Sequence, residues 1–204
     1  MCGRYYVDDD TAREIEKLVR QVDEKMHETF ASCRVEVTAK DIHPTETAPI
    51  LASSGSGLEC RWQRWGFPGF QKGRVIFNAR CESAMEKPMF REAVLHHRAV
   101  IPAAWFYEWD GNKQKHTFYR KDRDALFMAG CYRKYEDGDR FVILTTQANA
   151  SMEPVHVFSC KYISLFLSWA FPVISAVYSC INAVYQYIIG NSRTHSRRYR
   201  GYNP

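Results

Sequence analysis

The 204-residue chain opens Met-Cys-Gly-Arg, and Cys2 is the residue best placed to do covalent chemistry. Removal of Met1 leaves a cysteine whose α-amine and thiol sit on neighbouring carbons. Such an aminothiol traps aldehydes: the amine forms a Schiff base, the thiolate adds to it, and a five-membered thiazolidine ring closes. An internal cysteine has no free α-amine and cannot do this. The amine has an ordinary pKa of about 8, so a useful fraction is neutral near pH 7. Position alone does not separate this chemistry from an ordinary second residue, because cysteine serves in packing as well as in reactivity.

The other six cysteines, Cys33, Cys60, Cys81, Cys131, Cys160 and Cys180, form no C-x-x-C pair, and the total of seven is odd. That disfavours a structural zinc site and a fully paired disulfide framework. The first thirty residues are charged and lack the apolar core of a signal peptide. Together these point to a reducing compartment, nuclear or cytoplasmic. The net charge of +5 is local: the segment after His156 carries Lys161, Arg193, Arg197, Arg198 and Arg200 and no acid. The 28 basic residues less these five leave 23, against 23 acidic ones, so residues 1–156 are neutral. A nucleic-acid site there is a local patch rather than a basic molecule.

The elements that must position Cys2 follow from periodicity. Residues 10–28 read as an amphipathic helix, with Thr11 and Glu14 at capping-box spacing and Ile15, Leu18, Val19, Val22 and Met26 on one face. Residues 41–52, with Pro44 and Pro49, read as a loop leading into a short strand. Strands are expected at 58–65, 75–77, 99–101, 105–109, 115–120, 126–135 and 140–146, with a hairpin turn at Asp137-Gly138. Asn78-Ala79-Arg80 ends one of them, and 85–97 reads as a helix. Many short strands with two or three helices indicate an α+β domain with a largely antiparallel sheet.

Four groups of residues then stand in order: Cys2-Gly3-Arg4; Arg64-Trp65-Gly66-Phe67 with Asn78-Ala79-Arg80-Cys81-Glu82; Lys87-Pro88-Met89-Phe90-Arg91 with the run from Arg98 to Trp109; and Ala129-Gly130-Cys131-Tyr132 with Leu144 to Asn149 and Pro154-Val155-His156. In this order and spacing they resemble the SRAP family, the SOS response-associated peptidases, over residues 2–156. The resemblance implies a single domain with a barrel-like sheet and a few flanking helices. It implies a DNA-damage protein that binds single-stranded DNA at abasic sites, as at replication forks. There it links covalently to the opened sugar aldehyde and shields the strand. Self-removal of Met1, the source of the peptidase and hydrolase label, and a lyase-type activity belong to the same implication. No cofactor or metal is implied, and a monomer is expected.

Carried over by motif, Cys2 is the nucleophile, Asn78 orients the amine or sugar, and Glu108 is the general acid and base. His156 shares the proton traffic, since imidazole titrates near neutrality. Arg4 and Arg80 hold phosphates, and Trp65 or Phe67 stacks on or wedges beside a flanking base. Taken singly, each has a plainer reading. Asn78 could be a turn residue, Glu108 a solvent-facing residue on an alternating strand, and Trp65 a core residue. A non-covalent single-strand DNA-binding module and an inactive truncated product are the alternatives.

Two departures stand out. Trp105 occupies a position where the family usually has a small residue, which would crowd the wall near Glu108. After His156 the family's Asp-Arg-Met-Pro is replaced by Val157-Phe158-Ser159-Cys160. Residues 157–204 therefore read as a foreign apolar and basic tail, such as a read-through segment, leaving the domain short of its last strands. Residues 162–192 carry no charge and could lie in a membrane, although Pro172, Asn182 and Gln186 argue against a span.

Overall fold

The computed structural model describes residues 2–26, 36–54, 57–120, 125–148, 152–155, 158–160 and 162–163. The elements in chain order are β1 (Tyr5–Val7), α1 (Asp9–Met26), β2 (Lys40–Ile42), β3 (Thr47–Ser54), β4 (Gly57–Trp65), β5 (Phe67–Pro68), β6 (Val75–Ile76) and β7 (Asn78–Arg80). They continue with α2 (Cys81–Ala84), α3 (Pro88–His96), β8 (Arg98–Ala103), β9 (Trp105–Trp109), β10 (Lys115–Phe118), β11 (Leu126–Arg133), β12 (Arg140–Gln147), β13 (Phe158–Cys160) and β14 (Tyr162–Ile163). The α+β class and the mostly antiparallel sheet expected from the sequence are present.

The larger sheet runs β12-β4-β3-β8-β11, and β11 pairs back onto β12, so the strands close into a ring. The β4–β12 seam is parallel and short, joining Arg64 to Arg140 and Trp65 to Phe141. Farther along the same edge of β12, β7 takes over, also parallel, from Ile143↔Asn78 to Thr145↔Arg80. The other edge of β12 pairs with β11 up to Gly130↔Ile143 and then with β13 from Thr145↔Cys160. Meanwhile β14 pairs with β11 at Phe127 and Met128. The segment that carries β13 and β14 thus enters where β11 and β12 part company and extends the sheet on both. A second sheet, β10-β9-β1-β2, holds the start of the chain.

Helix α1 begins earlier than expected. The Asp8 carboxylate accepts hydrogen bonds from the Thr11 amide at 2.8 Å and the Thr11 hydroxyl at 2.7 Å, so Asp8 rather than Thr11 caps it. Ala12, Ile15, Leu18 and Val19 are its buried face. The expected loop at 41–52 is instead β2 and most of β3. Pro49 is tolerated because it faces Trp62 of β4, while the ladder to β8 occupies only Leu51 and Ala52. The expected helix at 85–97 begins only at Pro88, which occupies the first helical turn, where a missing amide costs nothing.

The core centres on Trp65, whose ring packs against Tyr5 at 5.2 Å, Phe77 at 5.8 Å and Phe141 at 6.2 Å between centroids. Its indole N–H donates to the Phe77 carbonyl at 2.9 Å, leaving no buried donor unmatched on that ring. Gly66 follows with φ +116°, and a β-carbon there would run into Val75, so the Trp-Gly-Phe order is a steric requirement of the turn out of β4. Gly130 marks a second close approach: a β-carbon would stand 2.6 Å from the Val142 carbonyl oxygen and press on Ile101. Gly130→Ala is expected to cost about 1–3 kcal/mol by overpacking and to lower the melting temperature by roughly 2–12 °C. An unchanged melt would contradict this packing of β11 against β12.

The β9–β10 hairpin is clipped by Asp110. Its carboxylate accepts from the amides of Asn112 at 2.8 Å and Gln114 at 2.9 Å, and meets His116 Nε2 at 3.0 Å. The His116 hydrogen bond, followed by the Gln114 amide, holds the Asp110 carboxyl below its ordinary value. A depressed folded value means the clip contributes fully above the unfolded pKa of about 3.9 and is lost as pH falls through the lower folded value. A carboxyl titration by NMR is expected to place Asp110 below free aspartate; a midpoint at or above the free value would refute the clip.

Candidate active site

Cys2 lies directly before β1 and is fully buried. Its thiol points toward the Arg4 carbonyl at 3.8 Å. Its own carbonyl accepts a 2.8 Å hydrogen bond from Asn78 Nδ2. Asn78 heads β7, so the parallel ladder to Ile143 fixes its backbone and aims its amide at the start of the chain. The second amide atom, Asn78 Oδ1, is buried and has no hydrogen-bond partner among the described residues. An open acceptor beside the Cys2 backbone suits an amine or a sugar hydroxyl.

Glu108 arrives from the neighbouring strand. The pairs Tyr5↔Phe106 and Tyr6↔Trp105 and the Tyr107 amide donating to Arg4 O at 3.0 Å run β9 antiparallel to β1 toward the first residues. Glu108 is 1 % exposed, so the solvent-facing reading of this residue is corrected. Alternation was read properly, but the side of β9 that carries Phe106 and Glu108 faces inward. The opposite side carries Trp105, Tyr107 and Trp109. Trp105 stacks on Tyr6 at 4.2 Å, and its indole N–H donates to the Tyr107 hydroxyl at 2.6 Å. Its bulk therefore lies on the face away from Glu108 rather than crowding it.

Arg4 sits on that outer face, 3.7 Å from Asp41 and 5.4 Å from the centre of the Trp109 ring. With Lys115 above Tyr107 at 4.6 Å, it gives the face an aromatic and cationic character. Arg80, at the end of β7, is exposed. Trp65 and Phe67 are both fully buried, so the expected base stacking is corrected: a ring with no exposed face offers none to a base. His156 lies outside the described residues, as does the apolar run from 164 onward. No helix among the described residues is long and apolar enough to cross a membrane.

Two residues near Cys2 went unread in the sequence. Tyr5 is fully buried with its hydroxyl unmatched among the described residues. Burial, then the neighbouring Cys2, then Glu46, push its phenol well above the ordinary value. Its spacing of three from Cys2 gave no signal, because strand residues share a face at even spacings. Cys160 of β13 is buried, and burial first, then Cys2 and Glu108, push its thiol well above the ordinary value. Nothing in the sequence pointed to it, because its place depends on where β13 docks.

Buried Cys2, an asparagine on its backbone and an inward carboxyl on the adjacent strand lie within a closed, largely antiparallel sheet, an arrangement that could serve a nucleophile. The model of the SOS response associated peptidase (SRAP) family matches residues 1–159, and the chain belongs to that family. It is 31% identical over 130 residues to the abasic site processing protein YoaM of Bacillus subtilis, covering 57% of each chain. Against the abasic site processing protein YedK of Escherichia coli it is 31% identical over 100 residues, 45% of each. Against its counterpart YMR114C of Saccharomyces cerevisiae it is 27% identical over 128 residues, 57% of this chain and 34% of the relative. The matches span about half the length of the bacterial relatives. A solved protein from Bacteroides thetaiotaomicron shares the fold with a TM-score of 0.61, 20% identity and 86% coverage of both chains. A phage-related protein from Bordetella bronchiseptica does so at 0.57, 19%, and 89% and 88% coverage.

Proposed function

We propose that this chain processes abasic sites in single-stranded DNA by capturing the sugar aldehyde on Cys2. The observation that carries the reading is the Asn78 amide, which holds the Cys2 carbonyl at 2.8 Å and keeps its own oxygen open beside it. Hydrolysis of the Met1–Cys2 bond frees the α-amine. The amine adds to the aldehyde carbon, and water leaves as the imine forms. The Cys2 sulfur then adds to the imine carbon, the nitrogen takes a proton, and the thiazolidine closes. Glu108 is the group on the inward face able to take and return these protons. Asn78 Oδ1 steadies the amine during the first addition. Arg80, exposed at the mouth of β7, is suited to a phosphate beside the lesion. Shielding of the damaged strand follows from covalent attachment itself.

The decisive experiment mixes Met1-processed protein with a single-stranded oligonucleotide bearing one abasic site. A band that survives denaturant with the parent protein and is absent with Cys2→Ala supports the reading. Equal bands, or none with either protein, refute it. The aromatic and cationic face of Tyr6, Trp105, Trp109, Arg4 and Lys115 favours a second reading, reversible single-strand binding by stacking. That reading expects salt-sensitive binding indifferent to Cys2→Ala.

A further inference from the structure

Five cysteines among the described residues form no disulfide: Cys2, Cys60, Cys81, Cys131 and Cys160. Cys2 and Cys160 are both buried in the same core, and Cys2 is near enough to Cys160 to help raise its thiol pKa. The sheet explains how residues so far apart in sequence meet. Thr145 of β12 pairs with Arg80 of β7 on one edge and with Cys160 of β13 on the other. Asn78, at the head of β7, holds the Cys2 carbonyl. Separate backbone ladders thus carry the two cysteines into the same part of the core, one through β7 and Asn78 and the other through β13.

We propose that Cys160 is a resolving cysteine for Cys2: in the presence of a peroxide the two close a disulfide, which a thiol reductant reopens. Cys2 sulfur attacks the O–O bond of hydrogen peroxide, keeps one oxygen as a sulfenic acid and releases the other as water. Cys160 sulfur then attacks Cys2 sulfur, the S–O bond breaks, and the departing hydroxide leaves as a second water with the Cys160 proton. Two thiols give up two electrons and two protons, and one peroxide becomes two waters. Burial first, then the neighbouring Cys2, then Glu108 push the Cys160 thiol well up. A raised thiol is a poor first nucleophile toward peroxide, which suits Cys160 to the resolving step. Hydrogen peroxide reaches the two buried thiols through local opening of the short strands that cover them. The functional consequence, that the disulfide withdraws the nucleophile from the aldehyde trap, rests on the function proposed above; the disulfide itself does not.

The test treats the full chain with hydrogen peroxide, alkylates it under denaturing conditions, digests it and maps the linked peptides by mass spectrometry. The expected result is a peptide pair joining Cys2 to Cys160, released by dithiothreitol, retained in Cys60→Ser and lost in Cys160→Ser. In parallel, the yield of adduct with the abasic oligonucleotide falls in proportion to the disulfide and returns on reduction. Peroxide that leaves Cys2 and Cys160 open to alkylation overturns the proposal. So does linkage of Cys81 to Cys131 alone, or oxidation of Cys2 that Cys160 never resolves. A mapped Cys2–Cys160 bond in protein whose reduced form makes no adduct supports the resolving pair and counts against the proposed function instead.

Discussion

Glu108→Gln is expected to slow formation of the covalent adduct by roughly 10²–10⁴-fold while leaving the final yield and the fold in place. The side chain is buried on the inward face of β9, and the exchange keeps its shape and its capacity to accept a hydrogen bond. What it removes is the ability to take and return a proton, needed when the amine attacks and again when water leaves. Cys2→Ala removes the endpoint; Glu108→Gln changes the rate toward it. The measurement is a time course on denaturing gels, with a thermal melt of both proteins as the control. An unchanged rate with an unchanged melt would remove Glu108 from the chemistry. A collapsed melt would make it a structural residue.

The second large effect concerns the end of the sheet. A chain stopped after His156 loses β13 and β14, and with them three residue pairs on β12 and two on β11. It also uncovers the stretch of β12 from Thr145 to Gln147 and removes Cys160 from the core. At about 1 kcal/mol for each lost hydrogen bond, the truncation is expected to cost about 2–5 kcal/mol, a large share of a typical 5–15 kcal/mol. That corresponds to a fall in melting temperature of roughly 5–20 °C for a domain of this size. A chain stopped after Ile163 keeps these pairs and is expected to melt higher than the shorter one. Identical melts would show that the two strands contribute nothing to stability.

The contrast between these two cuts bears on what could be read in advance. Periodicity located α1 and β4, and apolar runs bounded by turn residues located β9, β11 and β12, which are buried along most of their length. Cys2 was legible from its place behind Met1. The partnership of Asn78 with Cys2 was legible only through the family resemblance, because β7 is three residues long and owes its strand form to β12, far along the chain. Pattern gave two faces for β9 but could not say which one meets the core, and for Glu108 that decides between solvent and site. Trp65 and Phe67 carry the right chemistry for a base platform in the wrong place. Aromatic identity is the same in a core and on a binding surface, and only packing separates them. The boundary expected at His156 followed from motif lettering, whereas the family match runs through residue 159 and the pairing through Ile163. Short strands of this kind hold by backbone hydrogen bonds, which any side chains permit.

The late entry of β13 has a consequence for biosynthesis. A ribosome makes β1 before the other strands and β13 about 150 residues later. At roughly 5–20 residues per second, that interval lasts roughly 8–30 s. Throughout it the nascent chain carries Cys2 without Asn78, then without Glu108, and last without Cys160. The buried surroundings of Cys2 are therefore complete only once the segment carrying β13 docks where β11 and β12 part company.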